Sequence, residues 1–193
     1  MTKIIRRKPR LMLAYGSNLC QADMRRRAPD ARPRGWIMID NGRLVFRGVA
    51  DVVPAIGYRV PVGIWEISPA DEEKLDRYEG VASGYYDKEE LKMPTGETAL
   101  IYMMAHAGIY PPSQFYADTV RRGYRDFGLD ERYLDAAIYH SLNHKDPSEA
   151  NLARRERQRA VAHTQRIVRM TDDFAFRRLE AAARKRRVAY AGD

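Results

Sequence analysis

A chain of 193 residues and 22.3 kDa, 45% of it hydrophobic, has enough apolar material for one domain with some appended length, which excludes wholesale disorder. No apolar run approaches the ~18 residues that cross a bilayer, no apolar stretch of signal-peptide length follows the basic first residues, and the single Cys20 excludes an intramolecular disulfide framework or a multi-cysteine metal site. The net charge of +8 sits at the two ends, since residues 1–10 hold five basic groups and no acids, residues 145–193 thirteen against seven, and residues 11–144 only sixteen against nineteen.

Leu11–Leu19 begins as a short buried strand and stops at a Gly16-Ser17-Asn18 turn, after which Gln21–Ala28 is predicted to be helical up to Pro29. Trp36–Ile39 and Arg43–Phe46 flank Asp40-Asn41-Gly42, which predicts a tight hairpin. Val60–Ile67 is apolar enough for an interior strand. Ser68-Pro69-Ala70-Asp71 then supplies an N-cap, a proline at the first helical position and an early acid, opening a helix that runs to about Tyr78. Tyr85–Met93 and Thr98–Ala105 form a second hairpin around Pro94-Thr95-Gly96. Helices follow from Ser113 to Gly128 and over Glu131–His140. Strands first and helices afterwards predict an α+β domain over residues 11–144. Beyond it, Asp146-Pro147-Ser148-Glu149 and Thr171-Asp172-Asp173 signal further helix starts in an Arg-, Ala- and Glu-rich stretch, so residues 145–193 read as a basic helical extension and residues 1–10 as a basic arm.

Three features bear on chemistry. Tyr15-Gly16-Ser17-Asn18-Leu19 is a strand running into a small-residue turn, which exposes successive backbone N–H groups suited to a carboxylate or an oxyanion, while structural turns of this composition are also common. Glu79 sits where a helix ends against Gly80, before Val81 and the pair Tyr85-Tyr86. Partial burial there would raise its pKa and fit it for proton transfer; a solvated acid beside Asp71, Glu72 and Glu73 is the plainer reading. Twelve tyrosines, among them Tyr102, Tyr110, Tyr116 and Tyr124, could wall a small polar pocket or pack at the edge of the core. His106, His140, His144 and His163 show no metal-ligand spacing, and Cys20, directly after the turn, could be reactive at a helix N-terminus, with a small packing residue as the favoured reading.

Taken together, these stretches resemble the gamma-glutamylcyclotransferase family. Its leading motif stands complete at Tyr15–Leu19, and Arg26-Arg27-Ala28-Pro29-Asp30-Ala31, Gly42-Arg43-Leu44-Val45-Phe46 and Val62–Ser68 follow in the expected order. Leu75-Asp76, Glu79-Gly80-Val81, Gly84 and Tyr86 are similar to the segment that carries the family's catalytic glutamate. Pro112-Ser113, Tyr116, Gly123 and Gly128-Leu129 are similar to its closing helix, so the likeness runs from about Leu11 to Ser141. The resemblance implies a small mixed, barrel-like sheet with flanking helices. It also implies that the α-amine of a γ-glutamyl amino acid, peptide or amine attacks its own γ-carbonyl, closing 5-oxoproline and releasing the amine. Glu79 would be the general acid/base, and Tyr15, Gly16, Ser17, Asn18, Leu19, Tyr86 and Tyr116 would bind substrate. No cofactor and no metal are implied. The pocket loop that sets selectivity would lie around Val49–Arg59 or Ala82–Tyr86.

The tail is the departure from this pattern. Its runs Arg154–Arg159 and Arg184–Arg187 could bind nucleic acid or another anionic partner, or pair with a second copy of the chain as a homodimer; a solvated helix with local Glu–Arg pairs is the favoured reading. The competing function is thus a non-catalytic binding protein on the same fold. The expected setting is soluble and cytoplasmic, with no membrane partner.

Overall fold

The computed structural model describes residues 8–93 and 95–144. The expected extension over residues 145–193 and most of the basic arm lie outside the described residues. Strands β1 (Arg10–Ala14), β2 (Arg32–Phe46), β3 (Ala50–Ile67), β4 (Tyr86–Lys92) and β5 (Thr98–Met104) make one sheet in the order β2-β3-β1-β5-β4. Around it lie helices α1 (Gln21–Arg27), α2 (Pro69–Tyr78), α3 (Gln114–Phe127) and α4 (Arg132–Asn143), with short 3₁₀ turns at Ser17–Leu19 and Val81–Ser83.

The central strand explains the start of the sequence. β1 runs antiparallel to β3 and parallel to β5, and Met12, Leu13 and Ala14 are all buried. A strand covered on both faces reads as a continuous apolar run rather than an alternation. It ends at Ala14, just before the predicted turn, where the chain leaves the sheet and tightens into the 3₁₀ turn that carries Ser17–Leu19.

The first predicted hairpin is corrected. Asp40-Asn41-Gly42 does not reverse the chain; it is a bulge inside the long strand β2. The register steps from Asp40 opposite Arg59 to Gly42 opposite Pro54, so β3 makes an excursion through Ala55–Tyr58 there. Asn41 does adopt the left-handed conformation (φ 54°) that suits such a dipeptide, and its side chain accepts a hydrogen bond from the Gly57 N–H at 3.0 Å. The reversal lies at Arg47-Gly48-Val49, and Val49–Arg59, expected to be a pocket loop, is mostly strand. The excursion bends the β2–β3 ribbon. Its far half folds over β5, where the Asp51 carboxylate accepts the Met104 N–H at 3.1 Å, and this gives the sheet its barrel-like curl.

Two helices fix the site. Ser68 caps α2 by accepting the Asp71 N–H at 3.1 Å, while the Asp71 carboxylate accepts the Ser68 N–H at 3.2 Å, a reciprocal capping box on the predicted residues. Helix α3 lies directly on the 3₁₀ turn. A β-carbon at Gly123 would come within 2.4 Å of the Leu19 Cβ and 2.6 Å of the Cys20 nitrogen, so only glycine permits this contact. Cys20 is buried beneath it as a packing residue.

Candidate active site

Glu79 owes its placement to the end of α2. Its N–H still donates to the Leu75 carbonyl at 2.8 Å, closing the last turn. Gly80 then takes a left-handed conformation (φ 64°), which breaks the helix and lets the Tyr85 N–H return to the Gly80 carbonyl at 3.1 Å. The side chain of Glu79 is thereby turned inward, and the residue is only 9% exposed. Burial raises its pKa, opposed by a hydrogen bond from Asn18 and by the positive charge of Arg27. The solvated-acid reading of Glu79 therefore does not hold.

The carboxyl faces a narrow cleft walled by Leu13–Asn18, Ala50, Glu79, Tyr86, Tyr102 and Tyr116. Gly16 forms part of the wall by close approach, since a β-carbon there would sit 3.0 Å from both the Ala50 Cβ and the Tyr116 hydroxyl. The Tyr116 hydroxyl accepts the Ala50 N–H at 3.1 Å, and burial pushes its pKa to about 12 despite further hydrogen bonds from Ser17. The Tyr86 hydroxyl donates to the Ala50 carbonyl at 3.4 Å, the Tyr15 hydroxyl to the Tyr102 carbonyl, and the Tyr102 hydroxyl to Asp76 at 2.7 Å. Burial raises the pKa of Tyr15, Tyr86 and Tyr102 as well. All four phenols thus stay neutral near pH 7, and Glu79 is the group facing the cleft that can exchange a proton there.

The structure brings together Tyr15, Gly16, Ser17, Asn18, Glu79, Tyr86 and Tyr116. Leu19 is not among the residues that line the cleft: its side chain is fully buried against Gly63 and Gly123.

Several contributors escaped the sequence reading. Ala50 enters the wall from the ribbon tip, where Arg47 and Asp51 form a buried ion pair at 2.9 Å and Arg47 also donates to the Gly108 carbonyl at 2.7 Å. Burial raises the Asp51 pKa against the pull of Arg47. The Trp65 indole N–H donates to the Asn18 carbonyl at 2.9 Å, and Arg27 reaches Asn18 from the other side. A polar residue at the tip of a hairpin could signal such a clamp only once the hairpin itself is placed correctly. Among the described residues no group of three or more His, Cys, Asp or Glu side chains could hold a metal ion, and no helix is long and apolar enough to cross a membrane.

Residues 59–137 match the model of the AIG2-like family. The chain is 29% identical over 141 residues to the gamma-glutamylcyclotransferases of Mus musculus and Homo sapiens, an overlap that covers 65% of this chain and 75% of each relative. Among solved structures, the fold is similar to a gamma-glutamyl cyclotransferase at 23% identity (TM-score 0.61, covering 77% of this chain and 99% of that one). It is also similar to an uncharacterized protein from Homo sapiens at 25% identity (TM-score 0.59, covering 68% and 87%).

Proposed function

We propose that this chain, which is similar in sequence to gamma-glutamylcyclotransferases, is an enzyme converting a γ-glutamyl amino acid, peptide or amine into 5-oxoproline and the free amine. The observation that carries this reading is one carboxyl, Glu79, inward-facing and raised in pKa, in a cleft whose other lining residues are all uncharged.

The chemistry asks for little more. The nucleophile and the electrophile belong to one substrate, so the site's main task is to hold the folded-back geometry in which the α-nitrogen meets the γ-carbonyl. Such alignment is worth up to roughly 7–11 kcal/mol in favourable cases. The Tyr15–Asn18 segment, with Tyr86 and Tyr116 opposite, holds the glutamyl part. Glu79 as carboxylate takes a proton from the α-ammonium, and the freed amine attacks the γ-carbon. The C–N bond to the leaving group then breaks, and the neutral acid returns the proton to the departing nitrogen. Over the whole reaction the attacking nitrogen loses two protons and the leaving nitrogen gains two, so one carboxyl that alternates between its forms can carry each in turn. A base of this kind typically contributes about 10²–10⁴-fold.

The test is incubation of the full chain with γ-glutamyl amino acids, γ-glutamylamines and glutathione, following 5-oxoproline by mass spectrometry. Release of 5-oxoproline from a panel member supports the reaction class, and the preferred member identifies the substrate. A folded protein that releases none from any of them contradicts it.

A further inference from the structure

Arg27 closes the last turn of α1 and is only 16% exposed in its side chain. Its guanidinium lies 4.0 Å above the ring of Tyr78, the residue before Glu79, and a second nitrogen pairs with Asp23 at 3.3 Å. From this seat Nη1 donates to the Asn18 Oδ1 at 2.8 Å and to the Ser17 Oγ at 3.2 Å. Asn18 in turn donates from Nδ2 to Glu79 Oε1 at 2.7 Å.

The order of these contacts follows from what each group can do. A guanidinium has donors and no acceptor, so the Asn18 edge facing Arg27 must be its carbonyl oxygen. The amide's N–H₂ is then forced toward Glu79, and it occupies Oε1. No other hydrogen bond among the described residues engages Oε2.

We infer that Arg27 is a positioning residue for Glu79: by fixing the Asn18 amide it commits Oε1 to a hydrogen bond and leaves Oε2 to carry the proton. The inference rests on the proposed role of Glu79, but the wiring itself can be read without turnover. The tyrosines whose electrostatics couple to Glu79, namely Tyr15, Tyr86, Tyr102 and Tyr116, are neutral across the working range, and the Tyr102 hydroxyl is committed to Asp76. Arg27 is the cation whose charge lowers the pKa of Glu79.

Two substitutions separate the possibilities. Arg27→Lys keeps a group that only donates, so the amide stays fixed. Arg27→Gln brings an amide that can donate or accept, so the Asn18 amide is free to flip. The Gln variant is expected to lose kcat by about 10- to 100-fold with KM nearly unchanged, and Lys to restore most of it. In an Asn18→Ala background the Arg27→Gln change should cost far less, because the intermediary is gone. Equal activity of Gln and Lys, or full multiplicative losses in the double variant, would overturn the inference.

A ¹³C-NMR titration of the labelled Glu79 carboxyl gives the readout that does not depend on activity. Its pKa is expected to rise in Arg27→Gln and to stay near the wild-type value in Arg27→Lys. No rise in Arg27→Gln overturns the inference, even where 5-oxoproline is never formed. A panel that yields no product while the titration behaves as expected overturns only the proposed reaction. Where Arg27→Gln fails to fold, a folded Arg27→Lys protein that has lost tenfold or more in kcat overturns the inference instead.

Discussion

At Glu79 a carboxyl sits at the C-terminal end of a helix, where the partial negative charge of the last carbonyls adds to burial in disfavouring the ionised form. Its folded-state pKa therefore lies above the unfolded value. Such a group supports the fold fully at pH below the ordinary glutamate range and loses that support as the pH rises through the folded-state value. Glu79→Gln is accordingly expected to melt at a higher temperature than wild type at pH 7, with the gap closing as the pH falls below about 4; thermal melts over pH 3–8 check this. Gly16 tests the wall. Gly16→Ala places a methyl 3.0 Å from Ala50 and Tyr116, and we expect turnover to fall by about tenfold or more while the melt shifts only slightly, a comparison that steady-state kinetics and calorimetry make directly. Tyr15–Asn18 stands out locally as a strand-to-turn motif, whereas Glu79 read alone is more plainly a solvated acid at a helix stop and is singled out only through the family resemblance. Arg27 stood within a recognisable run of arginines, but nothing local says which of Arg25, Arg26 and Arg27 turns inward. That choice belongs to the seven-residue helix packed against the 3₁₀ turn.

The capped helices were read correctly because their signals are chemical and short in range. Ser68-Pro69-Ala70-Asp71 makes the bonds its composition suggests, and Ser68→Ala should cost about 1 kcal/mol by removing one of them, measurable by urea unfolding. The bulge was misread because Asn41-Gly42 asks only for a left-handed residue, which a hairpin turn and a bulge both supply. What decides is the partner strand: the ladder resumes beyond the excursion, with Leu44 opposite Val52 and Phe46 opposite Ala50, all four buried. That burial is a property of the folded sheet and not of the dipeptide. The contact between α3 and the 3₁₀ turn offers a sharper test of packing. Gly123→Ala pushes a methyl into the Leu19–Cys20 backbone, and it should destabilise the protein by about 1–3 kcal/mol and lower activity with it, since the same turn carries Ser17 and Asn18.

The fold as it is described places a long bent ribbon over one face of the sheet and fastens its tip with Arg47 and Asp51. Removing one member of a buried pair strands the other charge, so Asp51→Ala is expected to cost about 3–5 kcal/mol. It should also loosen Ala50, which takes hydrogen bonds with both Tyr116 and Tyr86. Charge arithmetic showed where the basic residues lie along the chain but could not reveal this clamp, because its two charges cancel in any count. The most direct test of the proposed chemistry compares wild type with Glu79→Gln on the best substrate of the panel, with near-UV circular dichroism recorded on both. Coincident spectra with 5-oxoproline formed by wild type, and turnover reduced by at least about 10²-fold in Glu79→Gln, are the expected result. A folded Glu79→Gln protein that still closes the ring at close to the wild-type rate would mean that the proton is carried elsewhere.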